Sequence, residues 1–316
     1  MKATAADLYN KGRDFFEEKR WKNAIQYFSR AIKLDPVFSD AYFKRGKAYC
    51  EQEEPDYPLA IHDFNKAIHL EPGSARAYGA RARAYYMVGK YSLAISDCNR
   101  SLRIDPEYYY LYLLRGESYL RVGSGSSDEY QKDMDQAAGK FEFDVESILP
   151  AGEAGSASEK IIRPLQACAE FHISIDQDSY KNQAWETGRG AYCAALEDIS
   201  RAILLEPDYS YAYWCRGNVY LDNSLFDSAI VEYTEAVRTA FEENPEPYFS
   251  RAMAYYRKGW FDQAIRDYNQ AIARDGNRGE FYWWRGEAWE SKGEYEKARG
   301  DFENAQRLGY CEEKGD

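Results

Sequence analysis

Small and apolar residues recur along this chain with a period of about 34 residues, and that recurrence organises the reading. Four acidic-proline dipeptides, Asp35-Pro36, Glu71-Pro72, Asp105-Pro106 and Glu206-Pro207, each follow an alanine-bearing apolar stripe at helical spacing. Proline cannot continue a helix interior, so each dipeptide marks the end of an element. Numbering every unit from position 1, the units run Ala5 to Phe38, Ser39 to Ser74 with two extra residues, and Ala75 to Tyr108. Toward the C-terminus they run Ser210 to Asn244, Pro245 to Arg278 and Gly279 onward. Position 8 is small throughout: Gly12, Gly46, Ala82, Gly116, Gly217, Ala252 and Gly286. Position 20 is Ala24, Ala60, Ala94, Ala195, Ala229, Ala264 and Ala298, and position 27 is alanine everywhere but at Ser101. Such spacing predicts two antiparallel helices per unit, A and B, that cross closely; a larger side chain at the crossing would separate the backbones. Aromatics at positions 4, 11, 17 and 24 fill the space around it, as Tyr282, Trp289, Tyr295 and Phe302 do in the last unit.

These motifs resemble the tetratricopeptide repeat, whose units read W-x2-L-G-x2-Y, then A-x3-F, then P, and the likeness covers about three quarters of the chain. The resemblance implies an all-α fold, a right-handed α-solenoid of about eight helix-turn-helix repeats.

Charge repeats as well. Position 7, leucine in the family pattern, is Arg45, Arg81, Arg115, Arg216, Arg251 and Arg285, while position 23 is Asp63, Asp97, Asp198, Glu232, Asp267 and Asp301. The first unit has Lys11 and Tyr27 there and so lacks arginine and acid together. We expect arginine-carboxylate pairs between helices A and B, within a repeat or to the next one, that specify geometry more than they add stability.

The periodicity breaks between Gly123 and Gly190. Tyr109 to Val122 reads as a helix A, and a helix B is clear from Ala191 to Leu205. Between them, Asp128 to Phe143 is a poor helix B, Ala151 to Ser158 a flexible stretch, Glu159 to Phe171 a helix, and Tyr180 to Thr187 a degenerate helix A. Either divergent fourth and fifth repeats flank an insertion, or one fourth repeat is split by 67 residues; the first description is favoured and gives eight repeats. The chain thus divides into an N-terminal array, 1–123, an acidic and partly helical segment, 124–190, and a C-terminal array, 191–316. The aliphatic residues of positions 21 and 28 become Arg299 and Gln306 in the last repeat, a polar face on which an array stops near Leu308.

Composition narrows the function. Lys+Arg number 41 against 53 Asp+Glu, a net charge of −12, which argues against nucleic-acid binding. No stretch approaches the roughly 20 apolar residues of a membrane span, and no secretory leader is visible, so a soluble cytoplasmic protein is expected. Cys50, Cys98, Cys168, Cys193, Cys215 and Cys311 lie far apart, without metal-ligand spacing, and signal neither metal site nor disulfide framework. No GxSxG, P-loop or HExxH occurs, and the histidines at 62, 69 and 172 suggest no catalytic set. A non-enzymatic protein without cofactor is the expectation.

In the resembled family, helix A lines a concave groove that binds peptide segments of partner proteins, with positions 2, 5, 9, 12 and 13 facing it. By that resemblance the groove residues are Tyr9, Arg13, Phe16, Phe43, Lys47, Arg76, Arg83, Tyr86, Tyr110 and Leu113 in the N-terminal repeats. The C-terminal repeats contribute Tyr211, Trp214, Asn218, Asp222, Glu246, Phe249, Tyr256, Trp283, Glu287 and Glu290. Net charge is +4 over residues 1–123, −7 over 124–190 and −9 over 191–316, so acidic partner segments suit the N-terminal repeats and basic ones the C-terminal repeats. The family's carboxylate clamp for chaperone tails matches poorly, since the first repeats offer Tyr9, Arg13, Lys44, Arg76 and Ala80 at its positions. The alternative is a self-associating adaptor whose central insertion is an interaction or autoinhibitory element.

Overall fold

The computed structural model describes residues 3–123, 189–240 and 243–310. Among the described residues the protein is all-α, with 14 helices. The chain divides into two compact units, Met1–Arg201 and Ala202–Asp316.

In the first unit α1 (Ala5–Glu17) pairs with α2 (Trp21–Leu34), α3 (Ser39–Glu51) with α4 (Tyr57–Leu70), and α5 (Ala75–Met87) with α6 (Tyr91–Ile104). The fourth pair is α7 (Tyr109–Gly123) with α8 (Arg189–Leu205), whose last residues pass the unit boundary. The second unit pairs α9 (Ser210–Asp222) with α10 (Phe226–Thr239), α11 (Glu246–Arg257) with α12 (Phe261–Arg274), and α13 (Gly279–Ser291) with α14 (Tyr295–Arg307).

Local chemistry sets the ends. Thr4 and Asp7 form a reciprocal capping box at the start of α1, each side chain accepting the other's backbone N–H at 3.1 and 2.9 Å. Between helices A and B, position 15 takes the left-handed conformation, with φ of 75° at Gly89, 76° at Gly259 and 78° at Gly293. The next N–H then reaches back past it, as Lys90 does to the Tyr85 carbonyl at 2.9 Å, which closes the last turn of the helix. After helix B, the aspartates of the acidic dipeptides fold back: Asp35 and Asp105 each accept the N–H two residues on at 3.2 Å.

The close crossing expected at position 8 is present. A Cβ on Gly12 would lie 2.7 Å from the Phe28 ring, on Gly46 2.7 Å from Phe64, and on Gly286 2.7 Å from Phe302. Each aromatic is at position 24 of the same hairpin. Where position 8 is Ala82, position 24 is the smaller, fully buried Cys98, whereas Ala252 shares its core cluster with a full-size Tyr268.

The arginine-carboxylate pairs form within repeats. Arg45 grips Asp63 through Nε and Nη2 at 2.7 and 2.8 Å, Arg81 grips Asp97 at 2.7 and 2.7 Å, and Arg251 and Arg285 repeat the fork on Asp267 and Asp301. Arg216 donates from Nη2 to Glu232 at 2.8 Å. The third nitrogen reaches back to position 25 of the preceding helix B: Arg45 to Ser29, Arg81 to Asn65, Arg115 to Asn99, Arg251 to Thr234 and Arg285 to Asn269. Each of these guanidiniums also lies over the tyrosine of position 4, 5.4 to 5.9 Å from the ring centroid. One residue type thus fixes a hairpin's own crossing and its register on the previous hairpin.

Seven hairpins are formed among the described residues, one fewer than the favoured eight. Arg115 on α7 pairs with Asp198 on α8 at 2.7 and 2.5 Å, and a Cβ on Gly116 would meet the Ala195 carbonyl at 3.2 Å. Tyr119 and Val122 pack with Ala191, Ala194 and Ala195. This is the split fourth repeat, the less favoured of the two descriptions. Its A and B text, read in register across the gap, carries every small and charged position of an ordinary unit, and the carboxylate that Arg115 requires is on α8. The helices expected at 128–143, 159–171 and 180–187 lie outside the described residues.

Candidate binding surface on the helix A faces

The A helices of the first three hairpins bring Tyr9, Arg13, Phe16, Phe43, Lys44, Lys47 and Arg76 together. Lys44 and Lys47 place their ammonium groups 5.0 and 5.7 Å from the Phe16 ring centroid. Arg76 lies over the Phe43 ring at 4.9 Å. Arg13 is exposed, and among the described residues neither Arg13, Lys44 nor Lys47 forms an ion pair with a carboxylate. The Lys44 ammonium is held below the usual lysine range, first by burial and then by its cationic neighbours Lys47, Arg13 and Arg76, with Glu17 opposing. Burial and Asp40 together push the Tyr9 phenol up.

Other predicted groove residues have different surroundings. Phe43 is only 9% exposed and belongs to a core cluster with Ala60, Phe64 and Ala77. Tyr9 lies between Phe28 and Phe38, with ring centroids 5.7 and 4.9 Å away and the rings tilted. Leu113 is buried at 1%. Arg76 is paired with Asp40, and Arg83 with Glu51 at 3.4 Å, so two of the four expected groove cations already have carboxylates. Tyr86 packs edge-on against Tyr91, and Tyr110 lies 6.4 Å from Tyr108.

In the second unit Phe249 lies between Tyr268 and Phe281, with centroids 5.8 and 4.8 Å away, and Tyr256 against Phe261 and Trp284. Asn218 accepts the Tyr233 hydroxyl at 2.7 Å. Trp214 donates its indole N–H to Ser250 at 2.8 Å. Glu246 is paired with Arg278, which also holds Glu280 at 3.0 Å, so the acids there are partly neutralised. Position 5 is therefore mainly a packing position that joins one hairpin to the next. Lys44, at position 6, joins this surface from outside the expected groove positions; its signal in the sequence is the clamp comparison, where that position carries a polar ligand-binding residue.

Among the described residues no group of His, Cys, Asp and Glu could hold a metal ion. Among the described residues Cys50, Cys98, Cys193 and Cys215 form no disulfide; burial pushes Cys50 up to about 11 and Cys98 further, so neither of these two is poised as a nucleophile. His172, Cys168 and Cys311 lie outside the described residues, as does the proposed role of the central segment. No described helix is long and apolar enough to cross a membrane.

With the paired helices and their recurring contacts in place, the class is that of a helical-hairpin repeat protein. Family descriptions match in two forms, "Tetratricopeptide repeat" over residues 55–109 and 249–309 and "TPR repeat" over 12–53. The chain belongs to the tetratricopeptide repeat family, whose domains generally mediate protein-protein interaction and are typically non-enzymatic. Against curated protein sequences it finds no match.

Among solved structures it is similar to a tetratricopeptide repeat protein from Parabacteroides merdae, at 15% identity and a TM-score of 0.60, covering 98% of this chain and 94% of that one. It is also similar to a thermophilic TPR protein of Thermus thermophilus, at 18% identity and a TM-score of 0.49, over 79% of this chain and 98% of that one. A third likeness is the first TPR of Spaghetti (RPAP3), a structure bound to an HSP90 peptide, at 22% identity and a TM-score of 0.34, over 43% of this chain and 94% of that one.

Proposed function

We propose that the protein is an interaction scaffold whose first three hairpins bind acidic peptide segments of partner proteins. The observation that carries this reading is the cluster of Arg13, Lys44 and Lys47 around the partly exposed Phe16. Three like charges converge there with no carboxylate paired to any of them among the described residues, and Lys44 is destabilised as a cation first by burial and then by Lys47 and Arg13, with Glu17 opposing. A bound carboxylate relieves that repulsion, while Phe16 offers apolar contact to the adjoining side chain. Arg76 and Arg83 sit beside the cluster in exposed pairs that contribute little, so a ligand acid can exchange with Asp40 or Glu51 at small cost.

The test is fluorescence anisotropy with a labelled peptide rich in Asp and Glu and bearing one aromatic residue. Reversing Arg13 and Lys47 to Glu is expected to weaken binding at least about tenfold, the scale of one lost charge-assisted contact. Reversing Arg76 and Arg83 is expected to weaken it less. Affinity also falls as pH rises through the lowered lysine range, because the neutral amine no longer attracts an anion. Unchanged affinity in the Arg13→Glu/Lys47→Glu variant sinks the reading.

A further inference from the structure

Position 24, on helix B, is a tyrosine in hairpins five and six, Tyr233 and Tyr268, and carries no hydroxyl in the other five hairpins. Both tyrosines are 0% exposed. A phenol at that depth needs an acceptor, because a buried hydroxyl left unmatched costs its full desolvation penalty. Burial, the first cause in both, holds the two phenols above the usual tyrosine range, so each remains a donor.

Each hydroxyl turns to position 9 of its own helix A, and there the two hairpins differ. In hairpin five Tyr233 donates to Asn218 Oδ1 at 2.7 Å, an amide oxygen and a good acceptor. In hairpin six Tyr268 donates to Met253 Sδ at 3.1 Å, a thioether and a weak one. Met253 is half-buried beside the core cluster that contains Ala252, Ile265 and Tyr268, so part of its side chain reaches solvent. Hairpin six thus lacks one oxygen atom that hairpin five has. A methionine sulfoxide would place that atom at position 9, as the end of an S=O dipole.

We propose that Met253 is a modification site for hydrogen peroxide, at which oxidation to the sulfoxide strengthens the hairpin instead of damaging it. The sulfur lone pair attacks one peroxide oxygen, and an S–O bond forms as the O–O bond breaks. The hydroxysulfonium so formed passes its proton to the leaving hydroxide, so the products are sulfoxide and water; sulfur loses two electrons and the peroxide gains them. The new oxygen accepts the Tyr268 hydroxyl, and the methionine side chain, with three rotatable bonds, moves to make room for it. Oxidation of a packed methionine disrupts a core by introducing a polar group without a partner; here the partner is already in place. The change is reversible by sulfoxide reduction, and it exchanges an apolar thioether for a dipole on helix A of hairpin six. It does not rest on the acidic-peptide reading of the first three hairpins.

Peroxide treatment of the full chain, followed by peptide mass spectrometry, locates the sulfoxides, with Met87, 51% exposed, as the internal reference. Met253 is expected to convert at peroxide concentrations that convert Met87. Stability is then read in a Met87→Leu/Met134→Leu chain, against the same chain carrying Met253→Leu and treated alike, which removes the contribution of oxidised cysteines. Oxidation at Met253 is expected to raise the urea midpoint by about 0.3 M, the scale of one improved hydrogen bond. Tyr268→Phe keeps the ring and removes the donor, and phenylalanine is what position 24 already holds at Phe28, Phe64 and Phe302. In that variant oxidation is expected to lower the midpoint, since the sulfoxide has lost its partner. The proposal is overturned if Met253 stays a thioether when Met87 is fully converted. It is equally overturned if oxidation lowers the midpoint of the chain that keeps Tyr268, or raises that of the Tyr268→Phe chain by the same amount.

Discussion

Hairpins three and four make the same contact from very different stretches of chain. In hairpin three Arg81 meets an aspartate 16 residues away; in hairpin four Arg115 meets one 83 residues away, with the same fork and nearly the same burial. The comparison teaches that the hairpin is specified by its crossing and not by its turn. For a flexible chain, lengthening a closure from 16 to 83 residues costs only about 1.5 kcal/mol, because the entropy grows with the logarithm of length. The buried fork and the packing of Tyr119 and Val122 on α8 offset a cost of that size.

The strongest way to break the comparison is to remove each carboxylate. Asp198→Ala leaves Arg115 uncompensated, and Asp97→Ala does the same to Arg81; both are expected to cost about 3–5 kcal/mol in urea denaturation. A loss below about 1 kcal/mol for Asp198→Ala alone would show that hairpin four is not an equivalent unit.

A second test exploits a position where the two hairpins differ. Position 22 is the exposed Ser96 in hairpin three but Glu197 in hairpin four, where burial lifts the carboxyl to about 7, its Oε2 being without a hydrogen-bond partner. The folded chain keeps this proton over a range where the unfolded chain has released it, so stability declines as pH rises from the ordinary carboxylate range to about 7. Glu197→Gln is expected to flatten that decline, which amounts to on the order of 2–3 kcal/mol, as read from urea midpoints at several pH values. A wild-type profile already flat in that window counts against the assignment.

The smallest effect comes from deleting residues 124–190. The junction restores a Gly-x-Tyr turn, Gly123-Ala191-Tyr192, matching Gly89-Lys90-Tyr91 of hairpin three. Circular dichroism should report a folded chain, more stable by about 1–2 kcal/mol through the shorter closure. Loss of the helical signal in proportion to α7 and α8 would show that the hairpin depends on the inserted segment.

Much of this was legible in the sequence because the crossing demands particular residues. The small positions 8, 20 and 27 and the opposed charges at 7 and 23 can be read one position at a time. Position 25 is less visible: Ser29, Asn65, Asn99, Thr234 and Asn269 are all neutral and polar, like many surface residues, and what distinguishes them is an oxygen within reach of a guanidinium from the following unit. The repeat count turned on pairing across 67 residues, where a degenerate local pattern near Tyr180 competed with the correct partner for Tyr109 to Val122. On the binding surface, Arg76 and Arg83 were visible as charges, but their neutralisation by Asp40 and Glu51 depends on side chains 36 and 32 residues away. Lys44, Lys47 and Phe16 meet for the same reason, across a boundary between units.

The backward reach of the position 7 arginines gives the chain a direction in time. A newly made hairpin closes on its own carboxylate and docks on the helix already in place, with no need of any later hairpin. Synthesis proceeds at roughly 5–20 residues per second, so an ordinary hairpin acquires its second helix within a second or two of its first. Hairpin four must wait for 67 more residues, several seconds at that pace, with Tyr119 and Val122 on a helix whose partner has not yet left the ribosome. The nascent chain therefore has a scheduled pause in its assembly at Gly123, and that interval is when a chaperone has the most to hold.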